Sequence, residues 1–439
     1  MSTQKQKRPF ALRALAAFAG TLAILFVLLL AAYALPGERV RQHVYDSART
    51  IQNEGLYPEY LGFKLFQMDN YTDTLMLFEA ASADELPPLQ AMMTNTAYNV
   101  DNFETLADDL AWYIEKDWST GAQRTDAPAL EPFSYARYWH GYLIWLRPLL
   151  LLMPYTGVRI VQYIVLFALL AVVLVQLRRR CGLRAAVWFA VSQLAVSVWF
   201  VPHQVQYFTC FMIAYAGCAW VLAKPRRSDV LCLGLLVLGT ATAFCDLLVT
   251  PIITLGLPLT CWLLEPQQRL RGGVPQCALA VGGSLCWGTG YALCWAGKWA
   301  LAGAVTNNNV LADALHQAEV RTTADTWHGM ELTWRNIFVF LYDTLNNHHL
   351  FWPALAVLAV LIALFILSIR SKTALVRALP LALTTCMTPA WFVLLRTHSI
   401  QHGWFTWRAL GLTVFAGLAF LYYACDLRAA RRRLQKGSI

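Results

Sequence analysis

The stretch Tyr138–Met153, YWHGYLIWLRPLLLLM, decides how this chain is threaded. It is apolar, yet shorter than the ~20 residues that a membrane crossing takes. It also carries His140 near its start and Arg147 near its centre. Full-length apolar runs lie on both sides, at Leu12–Tyr33, Val158–Leu177, Leu183–Val201, Tyr207–Ala223, Val230–Asp246, Leu248–Leu264, Cys277–Gly297, Phe351–Ile369, Leu375–Leu395 and Ala409–Cys425. Hydrophobic residues make up 58% of the 439 and charged residues only 14%, against ~25% charged in soluble domains. A string of soluble domains is excluded. The expected class is an all-α, polytopic membrane protein with about ten transmembrane helices.

Charge placement resolves the ambiguous stretch. If it does not cross, Lys5, Lys7, Arg8, Arg13, Arg178–Arg180, Arg184, Lys224, Arg226, Arg227, Arg269, Arg271, Arg370, Lys372, Arg377 and the tail Arg428–Lys436 all face the cytoplasm. Only Asp229, Glu265 and Asp426 oppose them there. If it does cross, every cluster after the first moves outside, against the positive-inside rule. The stretch is therefore expected to be an amphipathic helix on the outer surface, with both termini inside. This divides the chain into a cytoplasmic N-terminus and first helix (1–35), an outer loop with short helical patterns such as Asn102–Trp118 (36–157, surface helix 138–153), six helices (158–297), a second outer loop (298–350), three helices (351–425) and a basic tail (426–439). The run Val230–Leu264 is too long for one span and is split at Asp246, because a charge in hydrocarbon is costly. The first run is too long for a signal-peptide core and has no evident cleavage site, so it is expected to be retained.

Several classes of function drop out. The net charge of +9 lies in short turns beside the membrane, so no nucleic-acid partner is expected. The same turns leave no room for a cytosolic nucleotide domain. The eleven cysteines run from Cys181 to Cys425, outside the large loop, so no disulfide framework is implied. No Walker, G-x-S-x-G or H-E-x-x-H motif is present, and no cofactor is called for. These features suit a multi-pass protein of a cell membrane, the bacterial inner or plasma membrane.

Polar residues within apolar surroundings remain. Asp69 and Asp73 lie in Met68-Asp-Asn-Tyr-Thr-Asp73, flanked by Phe66, Leu75, Met76, Leu77 and Phe78. Desolvation raises a carboxylate pKa toward that of a general base, and i, i+4 spacing on a helix puts both on one face. The competing reading is a helix cap beside a solvated aspartate. No third ligand accompanies them, so no metal site is read there. Asp246, at the outer end of two helices, is either functional or a hairpin cap. Lys298 stands between Trp295 and Trp299, suited to a lipid phosphate or to snorkelling. Arg396-Thr-His-Ser-Ile-Gln-His-Gly-Trp-Phe-Thr-Trp-Arg408 gathers His398, His402 and Arg408, a set suited to phosphate because guanidinium offers a rigid fork of donors. Arg137 and His140, among Tyr and Trp, suit either sugar stacking or membrane anchoring. The threading puts all of these residues on the outer face.

In this arrangement the chain resembles the GT-C type membrane glycosyltransferases. The resemblance lies in a first span, a long outer loop opening with the acidic motif Met68–Asp73, a surface helix at Tyr138–Met153, spans joined by short loops, and a further outer loop after Lys298. It implies transfer of a sugar from a polyprenyl-phosphate donor to a hydroxyl of a glycan or lipid-linked acceptor on the extracytoplasmic face. It implies Asp69 as general base, with Lys298 and Arg408 holding the phosphate. Apart from the resemblance, which has no motif for them, the chemistry lets protonated His398 or His402 assist and Asp246 orient hydroxyls. The alternatives are a transporter or flippase of a lipid-linked substrate, expected to have mid-membrane polar groups and repeated halves, and a membrane acyltransferase with His398 as base.

Overall fold

The computed structural model describes residues 9–83, 85–98, 132–269, 273–323, 351–426 and 428, with scattered positions between 326 and 349. The pattern Asn102–Trp118 and the tail from 429 onward lie outside the described residues. The described residues are mostly helical. In order come α1 (Phe10–Tyr33), α2 (Glu38–Glu54), α3 (Asn70–Ser82), α4 (Pro88–Thr94), α5 (Leu143–Leu150), α6 (Tyr155–Cys181), α7 (Leu183–Ala195) and α8 (Val205–Ala223). They are followed by α9 (Ser228–Cys245), α10 (Ile252–Leu263), α11 (Gly273–Thr306), α12 (Val310–Thr323), α13 (Phe351–Ser368), α14 (Lys372–Leu394), α15 (Arg396–Gln401) and α16 (Leu410–Ala424). Strands are minor. One antiparallel pair, Thr96–Tyr98 with Pro132–Ser134, sets Ala97 opposite Phe133.

Among the described residues, eight helices are long and apolar enough to cross a membrane; the last of them runs Gly403–Ala424. Leu15, Ile24 and Val27 on α1, Ile160 and Ile164 on α6, and Leu358 and Ile362 on α13 point outward. Exposed apolar surface of this extent suits lipid rather than water. The other two apolar runs form shorter helices. At 1.5 Å per residue, α7 and α10 reach only about 20 Å, less than the ~30 Å hydrocarbon core. A 3₁₀ turn, Val198–His203, follows α7, and α10 is buried along its whole length. The break at Asp246 is where α9 ends: its carboxylate accepts the Val249 amide at 3.1 Å in the turn leading to α10.

The two ends of the bundle differ in chemistry. At one end Arg13 meets Asp229 at 2.8 Å, Arg180 meets Glu265 at 2.8 Å, and Trp262 Nε1 donates to the Arg226 carbonyl at 3.2 Å. Arg269 bonds Tyr423, Arg184 bonds Tyr422, and Arg370 Nε donates to the Cys425 carbonyl at 2.5 Å. The basic turns therefore converge. The opposite end carries α2–α5 and the segment 396–408.

The surface helix expected over 138–153 is corrected. Its helical part, α5, has eight residues, about 12 Å, and Leu143, Leu146, Arg147 and Leu150 are all buried. Arg147 explains why. The last carbonyls of a helix lack intrahelical donors and carry the negative end of its dipole. Arg147 donates to Ala32 O at 2.9 Å, Tyr33 O at 3.0 Å and Leu35 O at 3.1 Å, closing the C-terminal end of α1. The arginine that made the stretch ambiguous is a buried cap and not part of a lipid-facing polar stripe. Nearby, α2 buries Val40, Val44, Ala48 and Ile51, one stripe at helical spacing, and His43 Nδ1 lies 2.6 Å from the Leu150 carbonyl.

Candidate functional site

The start of α8 organises the site. The first amides of a helix need outside acceptors, and Asp73 reaches across from α3 to supply them. Its Oδ2 accepts Val205 N at 3.1 Å, its Oδ1 accepts Gln206 N at 3.4 Å, and Tyr155 donates its hydroxyl. Asp73 is fully buried. Burial pushes its pKa up to about 7, against the pull of the Tyr155 hydroxyl, the Arg159 guanidinium and the Val205 amide.

Asp69 caps α3, as the competing reading had one aspartate do, although its partner Asp73 is buried and not solvated. Oδ1 accepts Thr72 N at 3.0 Å and Oδ2 accepts Thr72 Oγ1 at 2.8 Å. Its own amide donates to Gln204 Oε1 at 3.1 Å, tying α3 to the α8 entry. Asp69 is 3% exposed, and burial raises its pKa, opposed by bonds from Gln206 and Thr72. Each carboxylate oxygen keeps a lone pair beyond these bonds.

An ion pair that the sequence did not disclose braces this side. Arg159, in the first turn of α6, forks onto Glu54 at 2.5 and 2.8 Å and donates Nε to the His203 carbonyl at 2.9 Å. Burial alone would raise Glu54, but His203 and Arg159 outweigh it and hold it down at about 2. Glu54 and Arg159 are more than a hundred positions apart, and no spacing rule joins them.

The segment 396–408 closes the other side. Arg408 is 1% exposed. Its guanidinium lies 4.6 Å above the Tyr207 ring, and Nη1 donates to the Trp404 carbonyl at 3.1 Å. Its Nε and Nη2 meet no well-aligned acceptor among the described residues, although the Tyr207 hydroxyl lies close enough to interact with the guanidinium; the indole nitrogens of Trp404 and Trp407 have no partner among the described residues. The rings of His398 and His402 are 4.7 Å apart. His398 Nε2 lies 2.9 Å from the Leu248 carbonyl, and Nδ1 of both histidines has no partner among the described residues. Burial lowers both, His402 to about 4. Both are therefore neutral near pH 7, which corrects the expectation of an imidazolium. Trp404 also meets Tyr57 edge-on at 6.0 Å. Burial, then the Asp69 charge, pushes Tyr57 up to about 12. Asp246 lies beside the Cys210 thiol of α8 and supports the turn whose Leu248 carbonyl meets His398.

Asp69, Asp73, Asp246, His398, His402 and Arg408 thus gather around the first turns of α8. Tyr207 joins them. It was missed because a tyrosine within an apolar run carries no signal of its own. Three other expected residues lie elsewhere. Lys298 is corrected from an interfacial position to the interior, at 0% exposure. Its ammonium donates to Met92 O at 2.7 Å, Met93 O at 3.3 Å and Asn95 Oδ1 at 2.5 Å, which leaves no donor for a phosphate. His140 is likewise internal: Nδ1 lies 2.6 Å from Glu79 Oε2, which also accepts the Tyr142 hydroxyl at 2.5 Å. Arg137 pairs with Asp313 at 3.3 Å and lines a separate, mostly apolar cavity of 120 Å³ with Tyr138, Trp295, Trp299 and Trp391.

The Asp73 shift has a consequence for stability. Unfolded, an aspartate titrates near ~3.9; folded, Asp73 keeps its proton until about pH 7. Between these values the folded state holds a proton that the unfolded state has released, so stability falls as pH rises through this window. The unfolding midpoint of the detergent-solubilised protein should therefore fall less from pH 4 to pH 7 in Asp73→Asn than in wild type. Parallel curves would contradict the raised carboxyl.

Comparison of the chain with known protein families, with curated proteins and with solved structures returns no match.

Proposed function

We propose that this chain is a membrane glycosyltransferase of GT-C type that moves a sugar from a polyprenyl-phosphate donor to a hydroxyl of a glycan or lipid-linked acceptor. The reading rests above all on the donors of Arg408, Trp404 and Trp407 that lack partners among the described residues, in the group around the α8 entry that also holds the buried Asp69. Buried polar atoms in folded proteins are paired in the great majority of cases. A cluster of orphaned donors in one place favours a ligand that completes them. Donors of this kind around one guanidinium suit an anion with several oxygens, and a phosphate matches the planar fork. The positive-inside rule, applied to the basic end of the bundle, favours an extracytoplasmic position for this site. That face is where cell-envelope glycans are assembled.

The chemistry balances without further reagents. The acceptor O–H gives its proton to Asp69 as its oxygen attacks the anomeric carbon. The bond from that carbon to the phosphate oxygen breaks, and the phosphate leaves with the electron pair. Arg408 meets the charge that develops there, as preorganised donors in a dry site do. Attack opposite the leaving group inverts the anomeric centre. The neutral imidazoles of His398 and His402 are suited to sugar hydroxyls, since each can donate and accept. Asp246 acts on the turn that holds His398, and Asp73 on the α8 entry.

The test is incubation of the purified protein with labelled polyprenyl-phosphate sugars, with and without chelator, alongside donor-binding measurements. Arg408→Gln should weaken donor binding by roughly tenfold to a hundredfold, the worth of hydrogen bonds to a charged group. Unchanged donor affinity would remove the phosphate role. Counter-transport in vesicles without sugar transfer would replace the reading with a carrier.

A further inference from the structure

The basic end of the bundle, far from the residues around α8, holds two cavities that share one arginine. The first, of 350 Å³, is lined by Arg269, Arg370, Arg377, Gln276 and Tyr423. It also meets Ser371 and Thr373, at the N-terminus of the 23-residue α14. Ser371 caps the Ala374 amide at 3.1 Å, and the positive end of the helix dipole there favours negative charge. Gln276 is 4% exposed, and among the described residues neither its Oε1 nor Arg269 Nε has a partner. The second cavity, of 590 Å³, runs between α13 and α16 along Leu361, Phe365 and Leu421, and ends at Arg370 with Tyr422, Asp426 and Arg428. A basic chamber thus opens beside an apolar groove on the lipid-facing surface, with Arg370 in both.

We propose that these two cavities together bind one anionic phospholipid of the adjoining leaflet, with the phosphate in the arginine chamber and an acyl chain in the groove between α13 and α16. Charge complementarity favours the anion: three guanidiniums and a helix N-terminus line the chamber, and no carboxylate does. The groove favours a lipid over a free phosphate, because a free ion has no use for Leu361, Phe365 and Leu421. Basic pockets between helices on the cytoplasmic side are suited to anionic head groups. The site is independent of the transfer chemistry at the other end.

The experiment titrates delipidated, detergent-purified full-length protein with phosphatidylglycerol, with phosphatidylcholine and excess inorganic phosphate as comparison arms, and reads bound lipid by native mass spectrometry. Phosphatidylglycerol should be retained, phosphatidylcholine lost, and inorganic phosphate should fail to displace the lipid. Arg269→Gln with Arg377→Gln should weaken retention about thirtyfold, from roughly fivefold per cation near a membrane surface. Leu421→Trp, at a half-exposed position, narrows the groove without removing charge and should also lower retention, with the unfolding midpoint unchanged. Equal retention of phosphatidylcholine, displacement by inorganic phosphate, or wild-type retention in either variant would overturn the proposal.

Discussion

Asp69→Asn should lower the proposed sugar transfer by roughly 10²–10⁴-fold, the usual cost of losing a general base, while folding and membrane insertion stay intact. The substitution separates the two jobs of this side chain. Asp69 caps α3 through Thr72, and asparagine caps a helix about as well as aspartate. The amide oxygen can still take the Thr72 N–H, and the backbone bond to Gln204 does not involve the side chain. What asparagine cannot do is accept a proton. Asp69→Ala loses both functions and should add about 1 kcal/mol of destabilisation from the missing cap. The informative comparison is thus between the two variants: equal loss of transfer, unequal thermal stability. An active Asp69→Asn enzyme would reduce Asp69 to a cap and leave the site without a base, because Asp73 is engaged by Tyr155 and the two α8 amides.

The sequence disclosed what depends on local pattern. Eight of the ten apolar runs became helices of spanning length, and α9 ended at Asp246, although its carboxylate stays buried there. The convergence of basic turns at one end was legible because charge near a membrane obeys a rule of sign. What was not legible was which polar residues turn inward to serve the fold. Arg147 looked like the polar stripe of a surface helix. It caps α1, and only a structure shows where the α1 carbonyls lie. Lys298, between tryptophans, had the composition of an interfacial anchor, yet it closes the end of α4, more than two hundred positions away. The histidines of H-S-I-Q-H were recognised, but their charge state was not, because desolvation depends on what is packed over them.

The largest stability effect should come from Glu79, a residue without a sequence signal. Glu79 is 2% exposed. Oε1 accepts Asn95 Nδ2 at 2.9 Å and the Tyr33 hydroxyl at 3.2 Å. Oε2 takes Tyr142 and His140, and Asn95 passes the network on to Lys298. One carboxylate thus joins α1, α3, the segment before α5, and α11. Removing one partner of a buried charged network costs about 3–5 kcal/mol, because the groups left behind stay buried and unpaired. Glu79→Ala should lower stability by that amount in a detergent unfolding assay, and Glu79→Gln by less, since two acceptor lone pairs survive. Lys298→Met alone strands the buried acceptors Met92 O, Met93 O and Asn95 Oδ1 and takes away a positive charge that senses Glu79. The double variant Glu79→Gln, Lys298→Met removes both charges together, so its cost should fall short of the sum of the single costs. Strict additivity would mean that the two charges do not sense each other through Asn95. A loss below about 1 kcal/mol in Glu79→Ala would mean that water replaces the carboxylate and that the core here is open.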